Sequence, residues 1–541
     1  MLFAASFTPS LVPRAGLLQG VLAGASFAAG YGLGTLGRAL WRYLELPRLD
    51  GVLPRALGAL FLLMSTTIAA ICLMRAADWQ NSVRAVLSME PVPESFRIQI
   101  ILIASATFLV LLGIARLLFH TGALIARASR RALPPRLANL AGIAITAALV
   151  WIVATDVVIR AAFRVLDASF QEIDARFEPE SPRPLGALAT GSDASLVAWD
   201  GLGRAGREFV ASAPPAHEIA AQIGRPAVDP LRIYVGLRNA PNPEARAQLA
   251  LAELRRQHAF ERQALVVITP TGTGWIDPAA IDTVEFLHGG NIASVAVQYS
   301  YLNSPLTLLF DADYGAESAR AVFRVIYGYW TTLAKATRPR LYLHGLSLGA
   351  MNSEQSVGLF ETLEDPINGA LWSGPPFTAR TWRAITDQRE RGTPEWLPRF
   401  RDDRVVRFAN QKGMTTPPDT PWGPTRLVYL QYASDGITFF GYESFWRAPA
   451  WTEAPRGPDV SPELRWYPVT TFLQGVVDLM TVTSTPPGYG HVFAAEHYVD
   501  PWIAITALDG WIPDALARLK IGLGTRQRSR SETAAYEHRD G

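Results

Sequence analysis

Four long apolar runs fill the first third of the chain, and no other feature limits the fold as strongly. They extend over about residues 15–36, 57–74, 98–119 and 137–158. A helix needs about 20 mostly apolar residues to cross a bilayer core, so each run is a candidate span. The third contains IQIILIASATFLVLLGIA without a single charge. The first is rich in glycine, and Gly20 and Gly24, four apart, would let a neighbouring helix approach closely. Buried helices of a water-soluble core could produce one such run. Four in succession, separated by arginine-bearing loops, point instead to an all-helical membrane region over residues 1–165. Arg14 and the small residues Gly24, Ala25 and Ser26 would also suit a cleaved signal peptide, but three further spans favour an uncleaved helix.

Basic residues in short loops set the orientation. The first loop carries Arg38, Arg42, Arg48 and Arg55, and the third carries Arg116, Arg127, Arg130, Arg131 and Arg136. The middle loop has Arg75, Arg84 and Arg97. Loops one and three are expected on the cytoplasmic side of an inner membrane. Everything after the fourth span then lies on the extracytoplasmic side, with the lipid bilayer as the first partner.

With 50 Lys and Arg against 48 Asp and Glu, the net charge of +2 gives no reason to expect a nucleic-acid partner. The single cysteine, Cys72, excludes a disulfide within the chain and a cysteine-rich metal site. No cofactor or metal is expected.

Residues 166–215 read as a linker, because the stretch EPESPRPLGALATGSDASL is polar, rich in Pro and Gly, and without helical period. From 216 to 523, β-rich runs alternate with helical patterns. The runs are 231–235, 264–269, 293–298, 340–343, 370–372 and 427–432, and the clearest helices are 243–260 and 316–336. Such alternation means a mainly parallel sheet with helices on both faces, an α/β domain. Residues 524–541 are charged and are expected to form a disordered tail.

One of the β runs leads into RLYLHGLSLGAMNSEQ, residues 340–355. Its Gly-Leu-Ser-Leu-Gly core is weak evidence alone, since this composition yields roughly 0.2 chance matches per chain. Context strengthens it. A strand precedes Ser347 and a helical stretch follows, so the serine falls on a tight corner whose clearance Gly345 and Gly349 provide. The hydroxyl is a poor nucleophile until a base takes its proton. On a corner of this kind the acid and then the histidine follow the serine along the chain, which leaves His491, His497 and His538. His538 is in the polar tail, and His497 sits in a helical run. His491 closes the loop Pro486–Gly490, which would let an imidazole swing toward the serine. His344 reads as a strand residue.

Asp435, in Ser434-Asp435-Gly436 after the last β run, suits the orienting carboxylate. Its rival Asp478 lies in a helical pattern. For the oxyanion, one donor is the amide of Leu348. Another is Thr273 or Gly274, in the loop that follows residues 264–269. That loop lacks the lysine of a nucleotide-binding P-loop.

Taken together the sequence resembles a family of bacterial membrane-attached α/β-hydrolases with a four-helix N-terminal region, a family of largely unknown function. The resemblance covers nearly the whole chain. It is carried by the stretch from Ser6 to Arg14 (SFTPSLVPR), by AWDGLGR from Ala198 to Arg204, and by TPTGTGW from Thr269 to Trp275. QYSYL from Gln298 to Leu302, the serine corner, Ser434-Asp435 and Gly488-Tyr489-Gly490-His491 complete it. It implies the α/β-hydrolase fold and the triad Ser347, Asp435 and His491. Leu346 departs from the glutamate expected in many relatives, which bears on substrate preference. The final strand expected before His491 has only 480–483 to supply it.

The reading is a membrane-anchored serine hydrolase, esterase- or lipase-like, cleaving an acyl ester of a lipid or envelope component through an acyl-enzyme. A peptidase or thioesterase would use the same triad, and a non-catalytic membrane module on the same scaffold is the competing class. Aromatics from Phe439 to Trp451 read equally as an apolar cap, as ordinary core, or as a membrane-resting surface.

Overall fold

The computed structural model, which describes residues 1–47, 51–152, 181–301, 312–417 and 419–540, turns the four apolar runs into helices. They span Gly16–Tyr43, Val52–Val86, Phe96–Ser129 and Pro135–Ile152, and each is long and apolar enough to cross a membrane. The end of the fourth expected span, 153–158, and the start of the expected linker, 166–180, lie outside the described residues. Contacts divide the chain into two units. One joins Met1–Asp167 with Phe440–Thr481, and the other joins Ala168–Phe439 with Val482–Gly541.

In the helical unit, Gly20 and Gly24 lie against Ile103, Ala104 and Thr107 of helix Phe96–Ser129. A Cβ at Gly20 would stand 2.7 Å from that of Ile103, so the expected close approach is made. Because Gly16 faces Gln99 while Gly24 faces Thr107, these two helices run parallel. Gly142 rests against Gly122 and Ala126, so the fourth helix runs back along the third. Phe7, Ala23, Ala76, Phe96, Ile100 and Ala104 form the buried apolar centre.

The motif from Ser6 to Arg14 is buried at the start of the first helix, and it grips the chain excursion 440–481. Ser10 Oγ donates to Asp478 Oδ1 at 2.8 Å, and the Leu11 amide donates to Asp478 Oδ2 at 3.1 Å. Gln474 Nε2 and Arg14 Nη2 both donate to the Thr8 carbonyl at 2.8 Å. Burial pulls the Arg14 guanidinium down to about 10 and pushes the Asp478 carboxyl up to about 6, the charge of each opposing the shift of the other. Asp478, weighed as a catalytic acid, is therefore a structural anchor.

The second unit is built on an eight-stranded sheet in the order β1-β3-β2-β4-β5-β8-β6-β7. Its strands are β1 (Leu231–Val235), β2 (Ala264–Thr269), β3 (Ile292–Val297), β4 (Arg340–Leu346), β5 (Gly369–Ser373), β6 (Val406–Asn410), β7 (Gly413–Met414) and β8 (Arg426–Leu430). Every pairing is parallel except β6 with β7. The central strands are buried end to end, as a sheet covered on both faces requires. This is the expected α/β architecture.

Several expectations need correction. Residues 203–211, read as linker, form a helix whose Gly206 lies on the Tyr234 ring. Residues 524–540, read as a disordered tail, continue the helix Pro513–Asp540. The cause is anchoring: Arg526 pairs with Glu218 and with Asp282 (2.7 Å), and Gln527 Nε2 donates to the Phe493 carbonyl at 2.8 Å. The segment 480–483 is not a strand, because helix Thr470–Thr481 passes directly into a 3-10 turn at Val482–Ser484.

Asp282 belongs to a buried ion cluster centred on Arg232 of β1. The guanidinium donates to Glu285 at 2.6 and 2.8 Å, to Asp282 at 2.7 Å and to the Phe209 carbonyl at 2.9 Å. Burial alone would lower its pKa, but Glu285 and Asp282 override that and raise it. Removing the cation would leave the buried Glu285 without its ion-pair partner and Asp282 held only by Arg526 and Arg530. Arg232→Ala is expected to cost about 3–5 kcal/mol, read as a lowered unfolding midpoint of the detergent-solubilised chain; an unchanged midpoint would contradict this reading.

Candidate active site

The carboxyl ends of the central strands line up. Thr269 of β2 is level with Gly345 of β4, Leu346 with Ser373 of β5, and Ser373 with Leu430 of β8. Residues just past these ends therefore share one rim of the sheet, where open α/β sheets bind ligands. Ser347, Gly374 and Asp435 all follow on this rim.

Ser347 sits between β4 and helix Leu348–Ser356 with φ 56° and ψ −124°. That left-handed backbone is rare for a residue with a side chain and is held by its neighbours. A Cβ on Gly345 would strike the Gly349 and Ala350 backbone, and one on Gly349 would strike the Thr269 carbonyl. The Ser347 amide donates to the Ser373 carbonyl at 2.9 Å, which pins the corner to β5. The helix start directs unpaired amides and the positive end of its dipole to the same place.

Asp435 and His491 are brought together. His491 Nδ1–H donates to Asp435 Oδ2 at 2.7 Å, and both side chains are buried. Asp435 also accepts from the Ile437 amide (2.9 Å) and from Thr438 Oγ1 (3.1 Å), so its carboxylate is held from several directions. With Nδ1 committed as a donor, Nε2 carries the lone pair, and it has no hydrogen-bond partner among the described residues. Gly374, the residue after Ser373, lies on the pair: a Cβ there would stand 2.7 Å from His491 Cε1 and 2.9 Å from Asp435 Oδ2. The serine corner, bonded to Ser373, is thus one residue removed from the residue that touches the histidine.

The loop before His491, expected to let the imidazole swing toward the serine, is hydrogen-bonded along its backbone. Its backbone is tied down by His491 N to Val482 O (3.1 Å), Gly488 N to Val492 O (2.8 Å) and Gly490 N to Ser434 Oγ (2.8 Å). His497 lies in helix Ala495–Thr506 and shares a 2.7 Å hydrogen bond with Tyr432. His344 donates to the Leu371 carbonyl at 2.8 Å, and burial drives its pKa to about 4, so it stays neutral in the strand. The side chain of His538 lies outside the described residues.

Of the expected oxyanion donors, Leu348 opens the helix after the serine, where its amide has no carbonyl four residues back within the helix. Gly274 is a correction. Its amide donates to the Thr271 carbonyl at 2.9 Å and closes a turn, so it is not available to a substrate. Its φ of 85° and the Tyr234 hydroxyl on its carbonyl (2.9 Å) show that it shapes the loop. Of the two expected loop donors this leaves Thr273, whose carbonyl accepts from Gln298 Nε2 at 3.3 Å.

Two buried acids escaped the sequence reading. Asp277, just past this loop, caps helix Pro278–Leu287 through the Ala279 amide (3.0 Å) and accepts from the Tyr498 hydroxyl (2.8 Å). Burial raises its carboxyl to about 6. Capping aspartates are common, and Asp277 carries only that local signal. Glu354, on the helix after Ser347, accepts from the Tyr429 hydroxyl at 2.6 Å, and burial raises it from an ordinary 4.5 to about 8. The folded protein keeps this proton while the unfolded chain releases it. Stability from this group is therefore lost as pH climbs from about 4.5 to about 8, by at most about 1.4 kcal/mol per pH unit. Glu354→Gln should flatten the pH dependence of unfolding in that window; an unaltered slope would contradict the assignment.

Among the described residues no cluster of three or more metal-ligating side chains is found. A family model described as "Alpha/beta-hydrolase family" matches residues 231–519, and one described as "Alpha/beta-hydrolase family N-terminus" matches residues 7–214. No curated protein and no solved structure gives a significant match.

Proposed function

The chain belongs to the α/β-hydrolase family, and on that premise we propose that it is a membrane-anchored serine hydrolase acting on acyl esters through Ser347, His491 and Asp435. The observation that carries this reading is the buried Asp435–His491 hydrogen bond, with Nε2 left unpaired and the pair packed on Gly374, on the rim that also carries the strained serine corner. Nε2 takes the hydroxyl proton as Ser347 Oγ attacks the ester carbonyl. The tetrahedral oxyanion is met by the amides of Leu348 and Thr273. Collapse expels the alcohol, which receives the proton from Nε2, and leaves an acyl-serine. Water, deprotonated by Nε2, then releases the acid. Asp435 keeps the imidazole in the reactive tautomer and balances its charge when protonated.

The four apolar helices would hold the enzyme in a bacterial inner membrane, and the arginine-bearing loops support an extracytoplasmic hydrolase domain. The test is a panel of acyl esters, thioesters and amides offered to the full chain in detergent and to Ser347→Ala. Ester turnover that the variant lacks is expected. Turnover of none of them by the wild type would favour a binding role for the scaffold.

A further inference from the structure

Helix Thr470–Thr481 is inside out for a protein surrounded by water. Its buried side is polar, formed by Thr470, Thr471, Gln474 and Asp478 with Val477 among them. Its outward side is apolar: Met480 is 70% exposed and Val476, one turn earlier, is also exposed, with Leu473 and Leu479 half-buried beside them. Surface helices in water show the opposite pattern. A helix turning polar groups inward and apolar groups outward suits contact with lipid. The turn packed on this helix continues the surface. Phe445 contacts Phe472 and is exposed, and Trp446 is 67% exposed. Tyr442 and Tyr467 are exposed as well.

The height of this surface follows from the helices in the same unit. The apolar run of the second helix ends near Met74, and the polar continuation reaches Ser82, about 12 Å further on. Ser82 Oγ hydrogen-bonds Ser461 Oγ of the excursion at 2.8 Å. Gln474 and Asp478 bind Thr8, Ser10 and Leu11, just before the first turn of helix Gly16–Tyr43. The first and third helices begin at this end and the second finishes there. The excursion therefore lies where apolar helix surface gives way to water, the depth at which Trp and Tyr concentrate.

We propose that residues 440–481 dock into the lipid–water interface of the bilayer the four helices are built to cross, and that the substrate, if the hydrolase reading above holds, is a membrane-resident acyl ester. Chain connectivity links this surface to the site. The excursion leaves the hydrolase unit at Phe440, shortly after Asp435, and returns at Val482, whose carbonyl holds the His491 amide.

The test uses the full chain in phospholipid nanodiscs, with Cys72→Ser removing the native thiol. A nitroxide on W446C is expected to collide with oxygen in preference to a water-soluble nickel chelate, and one on R391C, exposed in the hydrolase unit, to show the reverse. Equal nickel access at both positions overturns the docking surface. The double variant F445S/W446S should lose about ten-fold or more of its activity on a diacylglycerol held in nanodiscs, while a soluble short-chain ester changes less than about two-fold. Equal losses on both esters overturn the substrate assignment. A wild type inactive on both esters, with the nitroxide at position 446 in lipid, sinks the hydrolase reading and leaves the docking surface standing.

Discussion

Ser347→Ala is expected to lower kcat on a soluble ester by a factor on the order of 10⁵–10⁶, with the fold intact. The loss is that large because the chemistry has no second nucleophile to fall back on. What survives is stabilisation of the oxyanion and binding, worth about 10³–10⁴ over water in related sites. Alanine is suited to the test. It keeps the Cβ at a position with φ 56°, so the strain of the corner is unchanged, and the Ser347 backbone bond to Ser373 does not involve the hydroxyl. The unfolding midpoint should therefore stay within about 2–3 °C of the wild type, as for a substitution of small energetic consequence. A variant that folds and retains a tenth of wild-type kcat would mean that another group attacks the ester.

Asp435→Asn should reduce kcat by about 10⁴ while leaving KM nearly unchanged. The side chain keeps its shape, and its oxygen can still accept from the Ile437 amide, as Oδ1 does now. The amide nitrogen then faces His491 Nδ1, where Oδ2 accepts at 2.7 Å. Two donors cannot share that line, so Nδ1 must become the acceptor and Nε2 the protonated nitrogen. A protonated Nε2 cannot take the serine proton. The developing imidazolium also loses its buried counter-charge. Steady-state kinetics would separate this from a binding defect, since a raised KM at preserved kcat would contradict the role given to Asp435.

How far the sequence could be read depended on how local each signal was. The strands β1 to β5 and β8 show as short, largely apolar runs, and the Ser347 corner as a motif between a run and a helix. The small β6–β7 hairpin escaped because Val406–Asn410 (VRFAN) is short and its apolar run is interrupted by Arg407 in a loop-rich region; Gly413 at its turn was the available cue. Membership of the 440–481 excursion in the helical unit had no local signal at all. It rests on hydrogen bonds such as Ser10 to Asp478, between residues at opposite ends of the chain. The inverted helix 470–481 shows the same difficulty: its pattern is amphipathic, and only the structure tells which face is buried. The Gly274 amide was misassigned for a smaller reason. Position in the loop after β2 made Thr273 and Gly274 equal candidates, but the Gly274 amide closes the turn that gives the loop its shape.

The central claim is that Ser347 is the nucleophile, and the most direct measurement is to label the full chain with a fluorophosphonate and map the adduct by tandem mass spectrometry. Trypsin should release residues 341–380, which hold Ser347 together with Ser353, Ser356 and Ser373. Fragmentation is expected to place the phosphonyl group on Ser347, with no adduct in Ser347→Ala and a strongly reduced one in Asp435→Asn. An adduct on a different serine, or none under conditions that label control serine hydrolases, would contradict the account.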